Sequence, residues 1–363
     1  MYHPSQPPPP SWFDSGNEIS VHRELGTRDQ ANIVELDKYE DLVWVGTQRG
    51  RLLSYLVDLP SDDVSSHNQP YSRFNADTVE DRIIQILPQM DGIVSLTRGN
   101  ILFNSRGGVS HQMMSSKAIG RMTAAGNNCL SSVDVFPHNP SQIVVGSDTS
   151  KTLFYADSIK GELTTFFDVP HSVSKIHCSV DNLLVVGGSN GQLSFVEGRF
   201  PSRITQTVTA HPFEVTSIAS SFNYIFTCGK RDGSRVPNGL GSPQSLVPDV
   251  FLKVFDIRNL KHAIPVSFPS GAMKVNVNLG ASSVGAGGVN LLVLSNYGLW
   301  QQGELYANST QLRNLEYFKA ECYPPMHSPD LPASVIDWSV SSDLNAMLDT
   351  AGIVHLWLSL IHI

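Results

Sequence analysis

Any chemistry this chain performs would have to come from its twelve histidines, thirty-three acidic residues and four cysteines. None of them falls into the spacing of a reactive motif. The chain has no G-x-S-x-G elbow, no H-E-x-x-H, no P-loop and no G-x-G-x-x-G. Cys129, Cys178, Cys228 and Cys322 lie far apart with no C-x-x-C pair, so nothing suggests zinc. The histidines never fall at ligand spacing, and the glycines of LGASSVGAGG (Leu279 to Gly288) read as loop punctuation rather than a phosphate cradle. One histidine, His211, has a geometrical explanation, and it depends on the elements around it.

Those elements repeat. LLVVGGSNGQLSFVE, from Leu183, is an apolar run, a glycine-rich turn and a second run with period two, which together spell a β-hairpin. LVWVGTQRGRLLSYL from Leu42, IVVGSDTSKTLFYAD from Ile143, LLVLSNYGLWQQGEL from Leu291 and LNAMLDTAGIVHLWL from Leu344 repeat it. Looser copies begin at Gly92 and Tyr224, the latter finding its second strand in DVFLKVFDIRN after an insertion. The anchors Gly46, Leu96, Gly146, Gly187, Gly229, Ser295 and Asp349 are about 40 to 66 residues apart. A third alternating segment often precedes the hairpin, as VTSIASSFN does before Tyr224. Three strands and an outer fourth make a propeller blade. The expectation is an all-β, seven-bladed WD-type β-propeller spanning 18–358, with an insertion loop over 230–248. Glycines and prolines number 28 and 22 and apolar residues make up 41%, which suits a turn-rich chain with a core.

In that frame His211 heads AHPFEVTSIASSFNYIFTCGKRDG, where WD-type blades place a histidine between an outer strand and the next blade's first. It is expected to hydrogen-bond toward a turn aspartate, here Asp232, while Phe255-Asp256 stands in the place of the Trp-Asp dipeptide. His211, Asp232, Phe255 and Asp256 then form a structural blade network, not a catalytic one. Asp134, Asp148 and Asp337 fall in strands and turns, where aspartate is ordinary. Lys230, Arg231 and Arg235 share one loop and form the candidate interaction site, weighed against a merely solvated loop.

Net charge is −8, and no stretch clusters cations with aromatics, so the linear footprint of nucleic-acid binding is absent and no DNA partner is expected. No run of eighteen apolar residues exists to span a membrane, and no signal peptide is visible. Reduced, buried cysteines and a cytoplasmic location are the simplest account. MYHPSQPPPPSWFDSGN reads as a disordered proline-rich tail over 1–17. From Glu18, ISVHREL alternates and is expected to supply the outer strand of the last blade. Residues 359–363, after HLWL, read as a truncated or artefactual end.

DVFLKVFDIRNLKHAIPVSF, preceded by TCGKRDGSR, resembles the fifth blade of one enzyme family. So do LDKYEDLVWVGTQRGRLLSYL, GIVSLTRGNILFNSRGGVSH and VIDWSVSSDLNAMLDTAGIVHLW, in order, from about Glu18 to Trp357. That family is the catalytic subunit of the cytoplasmic poly(A)-nuclease deadenylation complex, the poly(A)-binding-protein-dependent poly(A)-specific ribonuclease. The resemblance implies a propeller followed by a linker holding a pseudokinase adaptor subunit, an inactive ubiquitin-hydrolase-like domain and a two-metal exoribonuclease. Those later parts are not in this chain, so no catalytic, cofactor-binding or metal residue is assigned, and a divalent metal such as magnesium belongs only to the absent nuclease. What the resemblance implies is a non-enzymatic platform, cytoplasmic and in P-bodies. It would assemble with the pseudokinase adaptor and recognise poly(A) RNA coated by poly(A)-binding protein, directly or indirectly. The alternatives are a free-standing WD-repeat scaffold unrelated to deadenylation, and a propeller hydrolase with acidic groups converging on its channel. Trp300 and Tyr306 are candidate exposed anchors, with core or edge packing as their other reading.

Overall fold

In a computed structural model all 29 regular elements among the described residues are strands. The structure describes residues 17–21, 29–57, 70–75, 81–107, 109–117, 129–158, 160, 162–179, 182–197, 203–221, 223–233, 246–268, 271–278, 288–295, 300–306, 318–323, 335–341 and 344–358. The proline-rich start, Arg235 and residues 359–363 lie outside them, as do the side chains of Trp300 and Tyr306.

After β1 (Asn17–Ser20) comes the first sheet: β2 (Ala31–Leu36), β3 (Leu42–Thr47), β4 (Arg51–Leu56) and β5 (Ser72–Asn75). The second is β6 (Ile83–Gln89), β7 (Gly92–Thr97), β8 (Asn100–Ser105) and β9 (Ser110–Ser115). The third holds β10 (Leu130–Phe136), β11 (Asn139–Ser147), β12 (Thr152–Asp157) and β13 (Glu162–Asp168). β14 (Val173–Cys178), β15 (Leu183–Gly188), β16 (Gln192–Glu197) and β17 (Ile204–Thr209) make the fourth. In the fifth, β18 (Val215–Ser221), β19 (Tyr224–Asp232), β21 (Phe251–Asp256) and β22 (Asn259–Ser267) are joined by β20 (Leu246–Pro248). The sixth is β23 (Ala272–Asn278), β24 (Gly288–Ser295), β25 (Trp300–Tyr306) and β26 (Phe318–Tyr323). In the last, β27 (Val335–Val340), β28 (Leu344–Asp349) and β29 (Ile353–Leu358) take β1 as their outer strand. Among the described residues, then, six sheets have four strands and one has five.

The fifth strand changes the picture of the 230–248 insertion. Its two ends are not loop: Lys230, Arg231 and Asp232 pair with Pro248, Val247 and Leu246, extending the blade as a short ribbon. The ring closes as the alternating ISVHREL leads one to expect, with Asn17 opposite Leu356 and Ser20 opposite Ile353.

Position in the blade explains the strand sequences. LVWVGT and GIVSLT, second strands, are buried at every residue because neighbouring blades cover both faces. ITQTVT, an outer strand, alternates between half-buried and exposed. Each innermost strand bulges at the same place, between Ala31/Ile33, Ile83/Gln85, Leu130/Ser132, Val173/Lys175, Val215/Ser217, Ala272/Lys274 and Val335/Asp337.

The bulges stitch blade to blade. At four of the seven bulges the residue passed over donates to a carbonyl at the start of the next blade's innermost strand: Asn32 to Ile83 O (2.6 Å), Ser131 to Val173 O (2.6 Å), Ser174 to Val215 O (2.8 Å) and Thr216 to Met273 O (2.7 Å). The repeated glycine at the end of the second strand belongs to the same joint. A Cβ on Gly146 would lie 2.4 Å from Val173 Cγ1, and one on Gly187 2.8 Å from Val215 Cβ. Only hydrogen leaves room for the next blade's first side chain.

Candidate interaction surfaces

The expected blade network exists with a different aspartate. His211 is buried, and its Nδ1 lies 2.9 Å from Asp249 Oδ2 while Nε2 lies 3.0 Å from Thr227 Oγ1. Asp232 is not the partner. It stands exposed at the tip of the ribbon that β19 forms with β20, carried past the blade by the insertion. The chain returns at Asp249, whose amide donates to Gly229 O (2.7 Å) and whose Oδ1 accepts from Phe251 N (3.1 Å). The turn aspartate is therefore the residue that re-enters the blade. Phe255 packs in the core with its ring 6.1 Å from that of Phe195, and Asp256 caps the next turn and pairs with Arg258 at 2.6 Å.

The Asp249–His211–Thr227 line has the connectivity of a nucleophilic triad but not its access, since Thr227 and His211 are 0% and 1% exposed. A hydroxyl that no substrate can reach is structural. Burial alone would raise the Asp249 carboxyl; the hydrogen bonds from His211 and from the Phe251 amide, with the charges of His211 and Lys253, outweigh it and hold the group low. Two further histidines do related work that sequence reasoning missed. His171 reaches Ser194 Oγ at 2.9 Å, and His355 reaches Asp349 Oδ2 at 3.0 Å. The signal for His171 was there: PHSV precedes its innermost strand much as AHPFEV precedes β18.

The channel-side strands gather charge from many blades. Asp134 accepts from Cys178 N (2.7 Å), Asp337 from Val34 N (3.1 Å), and Lys274 Nζ donates to Asp337 Oδ1 (2.6 Å) and Trp338 O (2.7 Å). Glu35 takes the Ser339 hydroxyl at 2.9 Å. Burial, opposed by Lys274 and Ser339 and helped by Asp337, pushes its carboxyl up to about 7. Burial also pulls the Lys175 ammonium down, Lys274 acting with it against Asp134, Asp337 and Glu35. Asp134 and Asp337 each spend an oxygen on the backbone of the next blade. Among the described residues no group of three His, Cys, Asp or Glu could hold a metal ion.

Of the candidate loop cations, Lys230 is engaged with Glu214 at 2.5 Å and Arg231 is half-buried with its backbone in the ribbon; Arg235 lies outside the described residues. What surrounds this ribbon is apolar. Phe213, Leu246, Phe251 and Met273 are exposed, and Lys253 Nζ sits 5.0 Å over the Phe251 ring. A second apolar group lies at the opposite ends of the strands, under the first two blades: Tyr39, Leu56, Tyr71, Met90 and Val109, the Met90 side chain 72% exposed. Arg106 fixes this face. Its guanidinium pairs with both Asp37 oxygens (2.8 and 3.0 Å) and with Glu40 (2.6 Å), and donates to Met90 O (3.0 Å) and Gln89 O (2.8 Å). Tyr39 stands above it, the guanidinium carbon 5.9 Å from the ring centre. All nine exposed large apolar residues of the described chain thus fall in two groups, a distribution that marks binding surfaces rather than scatter.

The chain matches no established family profile. It is 28% identical over 250 residues to the PAN2-PAN3 deadenylation complex catalytic subunit PAN2 of Candida albicans, covering 67% of this chain and 20% of that protein. The Debaryomyces hansenii subunit of the same name is 23% identical over 353 residues, 94% of this chain and 29% of that protein. The chain therefore spans less than a third of the length of these relatives. In fold it matches the Neurospora crassa Pan2 WD40 domain with a TM-score of 0.68 at 20% identity, over 97% of this chain and 98% of that one. Sequence relatives and solved fold converge: the chain is similar to the WD-repeat region of PAN2 catalytic subunits.

Proposed function

We propose that this chain is the protein-interaction platform of an mRNA deadenylase. It docks the pseudokinase adaptor subunit and engages poly(A) RNA coated by poly(A)-binding protein, in the cytoplasm and its P-bodies, while the exonuclease and its divalent metal lie elsewhere. The observation that carries the reading is the division of labour among the side chains. The histidine–acid and histidine–hydroxyl contacts are buried joints of the blades, and the large exposed apolar residues gather in two surfaces. Buried aromatic anchors with a polar rim are what protein partners grip, and a closed ring of blades holds them rigidly.

The test is co-elution. The chain is mixed with the purified adaptor subunit, and separately with oligo(A) saturated by poly(A)-binding protein, and followed by size exclusion with light scattering. Tyr39→Ala with Met90→Ser, and Phe213→Ser with Phe251→Ser, each probe one surface. Loss of one complex with one pair assigns that partner. Failure of the chain to bind either partner leaves the free-standing scaffold as the better reading and sinks the platform role.

A further inference from the structure

The chain's net charge of −8 conceals a local reversal. In an antiparallel blade, the turn between second and third strands and the loop from the outer strand to the next blade lie at one end. Over the first three blades that end carries Arg51, Arg82, Arg98, Lys117 and Lys151, all exposed. The exposed acid beside them among the described residues is Asp168. Two other nearby acids are turned to the backbone. Asp29 is buried and accepts from Gln30 N and Arg49 N, and Asp81 accepts from Gly99 N at 2.9 Å.

Hydrogen bonds knit these cations into one surface. Arg98 precedes Gly99 in the second blade's turn; Gly99 N is held by Asp81, the neighbour of Arg82, and Gly99 O accepts from Ser116 N (2.8 Å), the neighbour of Lys117. Three cations therefore surround a single turn. Arg98 O accepts from Leu130 N (3.0 Å), and the Arg98 charge bears on Asp148 in the third blade's turn, three residues before Lys151. Arg51, in the equivalent turn of the first blade, lies 3.6 Å from Asp29 with its side chain 44% exposed.

From this we infer that the rim of the first three blades binds the phosphodiester backbone of a nucleic acid, without reading its bases. Arginine forks suit phosphate oxygens, and turn tips on successive blades offer a curved row of them. A protein partner is disfavoured because this rim shows no large exposed apolar residue among those described; the nine that exist stand on the two other surfaces. Base stacking is unsupported for the same reason. The reading goes beyond the platform role and does not rest on it, since it concerns the chain alone.

Fluorescence anisotropy with labelled A20 and U20 RNA, and with T20 DNA, tests it on the purified chain. All three are expected to bind within about threefold of one another, with a Kd of about 1 to 100 µM. Affinity should fall with salt at a log–log slope of roughly −0.7 per phosphate engaged. Arg82→Glu/Arg98→Glu/Lys117→Glu should weaken binding at least tenfold and flatten the slope by about 2. Lys160→Glu/Arg203→Glu, at the other end of the strands, should leave both unchanged. A glutamine version of the triple variant serves if the reversed one melts early. Salt-independent binding, no binding, or an unaffected triple variant overturns the inference. So does displacement of RNA by polyglutamate at equal charge concentration, which would make an acidic protein segment the occupant, and so does a strong preference for A20, which would require base contacts.

Discussion

Replacing Asp249 by alanine is the sharpest test of how the fifth blade is held. Two contacts go. The His211 Nδ1–H, buried and 2.9 Å from Asp249 Oδ2, loses its acceptor. The Phe251 amide loses Oδ1. A buried donor left unsatisfied costs about 1–3 kcal/mol, and a lost half-buried hydrogen bond about 1 kcal/mol. The sum, about 2–4 kcal/mol, corresponds to a Tm lower by roughly 4–8 °C for a domain of this size or somewhat smaller. Asp249→Asn keeps the shape and one acceptor and should cost about 1 kcal/mol. Asp232→Asn, at an exposed ribbon tip, should stay within about 0.5 kcal/mol. The pH dependence supplies a second reading. Asp249 is held below its ordinary value, so its contribution is fully present above the unfolded carboxyl's pKa of about 3.9 and is lost as pH falls through the lower folded value. Asp249→Asn should therefore remove part of the acid limb of a Tm–pH profile below pH 4. Differential scanning fluorimetry across pH measures all of this. An Asp232 variant that destabilises more than Asp249→Ala would refute the assignment of the turn aspartate.

Gly146→Val should destabilise by about 1–3 kcal/mol through overpacking of the joint between the third and fourth blades, because its Cβ alone would meet Val173 Cγ1 at 2.4 Å; urea unfolding followed by tryptophan fluorescence reads it, and a neutral result would mean the joint is slack. Glu35 has a folded value raised to about 7. Its stabilisation is thus present below the unfolded value of about 4.3 and is lost as pH rises toward 7, at most about 4 kcal/mol. Glu35→Gln should flatten the Tm–pH profile over that window and raise Tm at pH 8; an unchanged slope would show that Glu35 ionises freely.

Much of the fold could be read from period and punctuation. The hairpins at Leu42, Gly92, Ile143, Leu183 and Leu344 are all strands, and the alternating segments before them are the innermost ones. The glycine anchors were visible as a repeat, but the cause at Gly46, Gly146 and Gly187, the first side chain of the next blade (Ile83, Val173 and Val215) packed against them, is a contact between residues far apart in the chain. Asp249 was hidden by the insertion. Counting forward from His211 and Thr227 reaches Asp232 first, and only the ribbon of Lys230–Asp232 with Leu246–Pro248 shows that the chain has left the blade and come back. The cation rim was invisible for a related reason: Arg51, Arg82, Arg98, Lys117 and Lys151 span a hundred residues with no two adjacent, and topology alone brings them to one end.

The uneven chemistry of the joints bears on how such a ring can be a platform. Between the first six innermost strands, a bulge side chain donates across four of the five joints: Asn32, Ser131, Ser174 and Thr216. At the seam where the ring closes, backbone amides donate to an acid and a hydroxyl, an arrangement shared with the joint of the third and fourth blades, where Asp134 and Ser132 accept from Cys178 N and Ile176 N. Asp337 and Ser339 accept from Val34 N and Leu36 N, and Lys274 neutralises Asp337 from the sixth blade. The apolar surface under the first two blades lies against that seam's first blade, with Arg106 tying Asp37 and Glu40 to the second. Rigidity there comes from the Arg106–Asp37 pair, whose carboxylate is shielded from water, with Glu40 on its exposed side.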